Sequence, residues 1–277
     1  MKTSNHLLRR LTAALLAAVL ALSIALPVFA SDDGDTIYIN SVSDLLSLAR
    51  SCAYDQWSVG KTVILQKDLS LEGMLWEPIP SFSGQFKGNG HTISDLTITG
   101  QYSPAGLFGI VEEQGSIESL SVRGVVSVSD SADTTTGGIV GINHGTLINC
   151  QFTGVVTGDS EVGGIVGRNE SEGTIDHSTA RAIVTGKSST GGIAGYNLGA
   201  ITGCTNVGSI NTEYPEASLD TDGFTAKMVD YINNKMAAAA DDATNSVTNV
   251  ATDTGGIAGR SSGMILTLSL IHISEPT

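Results

Sequence analysis

Residues 137–147 read Gly-Gly-Ile-Val-Gly-Ile-Asn-His-Gly-Thr-Leu, and their opening GGIVG returns at 163–167, then as GGIAG at 191–195 and 255–259, with AGLFG at 105–109 as a looser earlier copy. The copies begin 32, 26, 28 and 64 residues apart. One unit is therefore about 27 residues, and the last interval holds one unit plus roughly 36 further residues. A second apolar segment follows each copy at a fixed offset: Gly115-Ser116-Ile117, Gly145-Thr146-Leu147, Gly173-Thr174-Ile175 and Gly199-Ala200-Ile201. A third ends in Val126, Val156, Val184 and Ile210. Each unit thus offers three short strands separated by Gly, Asn or Asp.

Strands this short in units of this length suit one coil of a solenoid each. Coils stacked about 4.8 Å apart bring every inward position above its equivalent. The fold expected is all-β: a right-handed parallel β-helix with an N-terminal capping helix and a short helical insertion. Its ladders can be named. Leu107, Ile139, Ile165, Ile193 and Ile257 form one, Ile117, Leu147, Ile175 and Ile201 a second, and Leu120, Cys150, Ser178 and Cys204 a third. Burying one aliphatic side chain stabilises by about 1.5–3 kcal/mol, and only stacking supplies that burial. Propeller blades run to about 40 residues or more, and a hairpin sandwich needs tight two-residue turns at regular points. Neither pattern is present.

Upstream, Val42 to Ala53 reads as an amphipathic helix begun by Ser43, with Leu45, Leu46, Leu48 and Ala49 on its apolar side. A solenoid end exposes apolar core, and this helix is the natural cover. A strand at Thr62 to Leu65 and the run GQFKGNGHTI at 84–93 follow.

GQFKGNGHTISDLTI at 84–98, AGLFG, and then GGIVG-x-Asn with Gly-Thr-Leu or Gly-Thr-Ile a few residues on together resemble the GLUG-motif repeat proteins over roughly Thr36 to Gly263, less the insertion. The resemblance implies a bacterial surface repeat, of the kind found ahead of the catalytic domain in immunoglobulin A-specific metallopeptidases. It implies no activity here, because the zinc peptidase motif His-Glu-x-x-His occurs nowhere in the chain.

Both ends read differently from the repeats. Residues 1–30 open with Lys2, Arg9 and Arg10, run through apolar residues from Leu11 to Leu26 and close on Val28-Phe29-Ala30, the pattern of a cleavable secretory signal. Residues 268–277, LSLIHISEPT, resemble the translation of a sequencing adapter. The expected domains are a signal peptide at 1–30, a cap with the first coils at 31–104, repeats at 105–263 with an insertion at about 213–250, and a non-native tail at 264–277. On this reading the chain is a fragment, exported to the cell surface or beyond, with no membrane span in its mature part.

The chain carries 14 Lys and Arg against 28 Asp and Glu. The three basic residues of the signal leave the remainder more acidic still. That argues against nucleic acid as a partner, since phosphate binding starts from a basic footprint. A host or cell-wall glycan or protein is the partner class that remains.

The insertion places Phe224, Met228, Ile232 and Met236 on one helical face, as a helix against the solenoid flank or a partner-binding element. Asp220-Thr221-Asp222-Gly223 resembles half a calcium loop, but Ser218 and Val229 stand where the first Asp and the bidentate Glu belong. Asn143, Asn169 and Asn197 recur in turns and are expected to bond side chain to backbone from coil to coil. His91, His144 and His177 sit in turns without a repeated acidic or Cys partner. Cys150 and Cys204 lie two coils apart, about 9.6 Å by the stacking distance, too far for a disulfide; Cys52 falls in the cap helix.

A polysaccharide lyase or hydrolase would need carboxylates converging on one face. Asp130, Asp133, Asp159 and Glu161 precede the Gly-rich strands, but Lys187 and Ser188 replace them in the next coil and no Arg recurs beside them. No catalytic, metal or cofactor-binding residue is therefore assigned. The expected function is a non-catalytic surface module, adhesin-like or a stalk, with the repeat region of a larger surface peptidase or polysaccharide-degrading enzyme as the alternative.

Overall fold

A computed structural model describes residues 36–54, 56–128, 134–211 and 254–266. The chain divides into Met1–Ala30 and Ser31–Thr277, and all described residues lie in the second unit. The signal segment, Asp130, Asp133, the insertion and the tail from 267 onward lie outside the described residues.

Those residues form a parallel β-solenoid of four sheets. The first face stacks eight strands: Thr36–Ile39, Thr62–Leu65, Gln85–Lys87, Ser116–Glu118, Thr146–Ile148, Thr174–Asp176, Ala200–Thr202 and Met264–Leu266. The second face runs through Ser121–Val128, Gln151–Thr157 and Thr179–Thr185. The third is built from Thr135–Gly137, Glu161–Gly163, Thr190–Gly191 and Thr254–Gly255, and the fourth from Ile79–Phe82, Phe108–Val111, Val140–Asn143, Val166–Asn169, Ala194–Asn197 and Ala258–Ser261. The chain visits the faces in that order and then drops to the next coil.

The expected three strands per coil are thus four. The Gly-rich motif is not one strand: Gly137 ends the third face, Gly138 and Ile139 turn the corner, and Val140 opens the fourth. The glycine pair makes that corner possible. A Cβ on Gly163 would run into the Val166 carbonyl oxygen, with Ile193 O and Gly195 N at 2.8 Å, so strand, turn and the next coil meet there without room for a side chain.

The ladders form as the repeat requires. Ile117, Leu147, Ile175 and Ile201 are paired in register and fully buried, and Phe86 and Val63 extend the row upward. Identical inward positions meet at about 4.8 Å, so each aliphatic side chain contributes its roughly 1.5–3 kcal/mol of burial only because a copy of itself lies above and below. In the first coils the interior is filled by aromatics instead. Phe82, Phe86 and Phe108 pack with ring centroids 5.4–6.3 Å apart, and the buried Trp76 donates its Nε1–H to Leu107 O at 3.2 Å.

Helix α1 spans Val42–Ser51 and occupies the part of the first described coil where later coils place their second, third and fourth faces. It packs on Thr36–Ile39 and Ile79–Phe82. Its cap is Ser41 rather than the expected Ser43. Ser41 has extended backbone (φ −151°) and accepts from Asp44 N–H at 3.2 Å, while Asp44 accepts from Asn40 N–H at 2.9 Å, a reciprocal capping arrangement. Leu45 and Leu48 are fully buried, whereas Leu46 and Ala49 stay partly exposed beside a groove of about 380 Å³ bordered by Trp76 and Pro80.

The long final interval closes as a single coil. Thr190 pairs with Thr254 and Ala200 with Met264, so the register is kept across residues 212–253. Met264–Leu266 takes the next place on the first face, which carries the stack three residues past Gly263 into what the sequence suggested was tail.

Replacing Gly163 by Ala is expected to destabilise the solenoid by about 1–3 kcal/mol through overpacking at the corner, read as a lower urea midpoint at unchanged slope.

Candidate functional site

The loops carrying Asp159, Lys187 and Ser188 all fall at the corner between the second and third faces, so Asp159 shares an edge with the residues that replace it. Stacking pairs them off. Lys187 Nζ reaches Asp159 Oδ1 at 2.5 Å, and the Lys187 and Ser188 N–H groups donate to Asp159 O at 2.9 and 3.1 Å. Asp159 N–H in turn donates to Thr134 Oγ1 at 2.8 Å. The lysine that seemed to interrupt an acidic row is the counter-ion of the coil above it.

Glu161, at the start of a third-face strand, accepts from Thr135 Oγ1 at 3.2 Å and lies 3.4 Å from Arg168 Nη1. One arginine thus stands beside these carboxylates, although Tyr196 takes its register position in the next coil. Arg168 sits on the outer side of the next strand, seven residues on, and its Nε is 3.2 Å from Glu170. Below it in register comes Tyr196 and then Arg260. The Tyr196 ring lies between the two guanidinium groups, with its centroid 5.0 Å from Arg168 Cζ and 5.5 Å from Arg260 Cζ. Each such stack contributes about 0.5–1 kcal/mol at an exposed site, and each partly exposed ion pair less than about 1 kcal/mol. The signal for this cluster was present in the sequence, as the residue after GGIVG or GGIAG changing from Ile142 to Arg168, Tyr196 and Arg260.

This edge is poorly suited to glycoside chemistry. A carboxylate pair needs one member free to hold a proton and the other free to attack or activate water. Here Glu161 and Glu170 share one guanidinium and Asp159 holds Lys187.

The asparagines form a buried ladder, with a difference from the expected bonding. Asn143 Nδ2 donates to Asn169 Oδ1 at 2.7 Å and Asn169 Nδ2 to Asn197 Oδ1 at 2.8 Å, so the shortest bonds between coils run amide to amide. Each amide also donates to the backbone of its own coil, at Gly145 O, Gly173 O and Gly199 O at 3.1–3.2 Å, and Asn169 Nδ2 reaches Ala200 O of the next coil at 3.4 Å, a bond of the expected kind. Asn197 Nδ2 ends the ladder on Ser261 Oγ at 3.1 Å. At the other end Asn143 Oδ1 has no partner, because Val111 holds the equivalent position one coil up.

His91 and His177 each have one acidic neighbour, Asp68 Oδ1 at 3.2 Å and Asp176 Oδ1 at 2.9 Å respectively, at positions that do not repeat from coil to coil. Asp68 is held below the usual carboxylate range chiefly by accepting from Thr92 N–H, with His91 adding to it. Among the described residues no group of three or more His, Cys, Asp and Glu could hold a metal ion.

All three cysteines are free and buried. Cys150 and Cys204 flank Ser178, which accepts from Cys150 N–H at 3.1 Å and donates its own N–H to Cys204 Sγ at 3.4 Å. Burial pushes the thiols of Cys52 and Cys150 up to about 12 and that of Cys204 to about 11.

Residues 158–185 match the model of the GLUG motif, so the chain carries the GLUG repeat that its sequence resembles. Halomucin from Haloquadratum walsbyi is 32% identical over a region covering 51% of this chain and 2% of that protein. A protein named as a Gly-rich membrane protein from Evansella cellulosilytica is 29% identical, over 36% of this chain and 16% of its own length. The chain therefore spans less than a fifth of either curated relative. A solved structure assigned as an immunoglobulin A1 protease from Bacteroides ovatus aligns with a TM-score of 0.45 at 17% identity, covering 64% of this chain and 68% of that one. Among the described residues no helix is long and apolar enough to cross a membrane.

Three outcomes are expected. Asn169→Ala strips both neighbouring asparagines of a buried partner and should lower unfolding stability by about 2–4 kcal/mol in urea titration. The thiols should resist iodoacetamide in the native protein at pH 8 and react in denaturant. Their folded values are raised, so the stability they contribute is complete below the ordinary thiol value of about 9 and is lost as pH rises toward 11–12; unfolding midpoints measured from pH 8 to 11 should fall.

Proposed function

We propose that this chain is an exported, cell-surface β-solenoid module that binds or spaces rather than catalyses, adhesin-like in its use of a rigid repeat to present outward side chains. The observation that carries this reading is the contrast between inward rows that repeat like residues and an outward row that changes in charge and shape from coil to coil. Inward rows repeat Ile, Leu, Val and Asn from coil to coil, whereas the outward row on the fourth face changes from Ile142 to Arg168, Tyr196 and Arg260. A scaffold of that kind fixes the positions of recognition groups at little entropic cost.

Surface location is supported by the signal-like pattern of residues 1–30 and by relatives named as a halomucin and a membrane protein. The tying of Asp159, Glu161 and Glu170 to cations argues for binding over hydrolysis at the edge. The small share of each relative that the chain covers supports a second reading, in which this solenoid is the repeat region of a larger surface peptidase or polysaccharide-degrading enzyme whose chemistry lies in another part of the protein.

Screening the full chain against a glycan array and a panel of host matrix proteins, alongside carbohydrate-release assays with and without calcium, tests the proposal. Binding without turnover is expected. Turnover that vanishes on Asp159→Ala would overturn it, and silence across both panels would leave only a spacer role.

A further inference from the structure

The outer surface of the second face carries cations of a different kind from those at the edge. Arg123, Thr153 and Arg181 are paired in register on three successive strands, so they form one row along the stack with the two arginines about 9.6 Å apart. Both arginines are exposed. Among the described residues neither has an acidic partner, in contrast to Arg168 and Lys187. Asp95, on the strand before Arg123, is engaged by the hydroxyls of Ser70 at 2.6 Å and Ser94 at 2.8 Å. In a chain with twice as many acidic as basic side chains, two unpaired guanidinium groups aligned on one rigid face stand out.

A groove of about 380 Å³ follows this row, bordered by Thr92, Ser121 and Gln151 beside the arginines and Thr153. Its lining is hydroxyl, amide and guanidinium. The apolar member, Val122, is fully buried, so the groove lacks the apolar or aromatic anchor that a peptide partner would bury. Hydrogen-bonding groups between two fixed cations suit a ligand with hydroxyls between regularly spaced anions.

We propose that this row binds a polysaccharide bearing uronate carboxylates, lying along the solenoid axis with alternate carboxylates on Arg123 and Arg181 and the intervening ring on Thr153 and Gln151. The proposal deepens the binding-module reading and rests on it. The planar guanidinium fork matches a carboxylate in two parallel hydrogen bonds. Two coils of stacking span about the length of a disaccharide, which is the repeat at which carboxylates return to the same side of an extended chain. The register fixes that spacing before the ligand arrives, and the acidic remainder of the chain opposes polyanions that do not use the row.

The test uses the full chain with polygalacturonate, dextran sulfate, dextran and polyglutamate as probes, by calorimetry at two salt concentrations. Polygalacturonate should bind, with affinity falling as salt rises. Arg123→Ala and Arg181→Ala should each weaken binding about tenfold, the loss of a charge-assisted hydrogen-bonded pair, while Arg50→Ala, an exposed charge on α1, leaves it unchanged. Dextran sulfate or polyglutamate bound as tightly as polygalacturonate, or affinity indifferent to both arginine variants, would overturn the assignment. Silence toward polygalacturonate with binding elsewhere in the glycan and matrix panels overturns this site alone. Silence throughout removes the binding-module reading itself.

Discussion

Each coil of this solenoid completes the backbone hydrogen bonding of the coil before it. Every strand on the four faces is parallel to its neighbours and paired across coils, as with Gln151–Thr157 between Ser121–Val128 and Thr179–Thr185. A residue is therefore held about 4.8 Å from its equivalent one repeat away, and each inward side chain must tolerate a near copy of itself above and below. Aliphatic residues meet that condition by dispersion and burial, and asparagine meets it because its amide carries both a donor and an acceptor. The row Asn143, Asn169, Asn197 is the polar solution to the same constraint that produces Leu147, Ile175 and Ile201.

The glycines follow from the same source. Coils this close leave no space at the corner between the third and fourth faces, and the Gly-Gly pair stands where a Cβ would meet backbone of its own turn and of the next coil. The sequence motif that names the repeat is thus a packing requirement of the corner. Such a motif carries little information about activity, because it describes how coils fit together and not what they present.

Much of the fold was legible in the sequence for that reason. The four named residues of the second ladder, Ile117, Leu147, Ile175 and Ile201, are paired as their spacing implied. What escaped reading were features set by fewer residues than a pattern needs. Thr135–Gly137 is three residues ending in glycine, too short to separate from the motif that follows it. Ser41 and Ser43 both precede apolar periodicity, and only the extended backbone of Ser41 decides which one caps α1. The Glu161–Arg168 contact was hidden because each belongs to a different face, and the sequence does not show where the corner between them folds. The asparagine bonding was half legible: the repeat predicts a ladder, but whether amides meet each other or backbone depends on rotamers.

The closing of the register across residues 212–253 has a consequence for where function can reside. Ala200–Thr202 pairs with Met264–Leu266 as closely as Thr174–Asp176 pairs with Ala200–Thr202, although the sequence separation is 64 residues in one case and 26 in the other. The loop-closure entropy of a longer connection grows only logarithmically with its length, so a stack held by inward rows and ladder hydrogen bonds accepts large additions at one corner without losing its frame. The same independence applies to single residues on the outer rows, where Arg123, Thr153 and Arg181 share one register position while Phe152 and Val122 beneath them keep the core apolar. Interior and exterior are therefore free to change separately, and a solenoid of this kind can acquire a recognition surface one outward residue at a time.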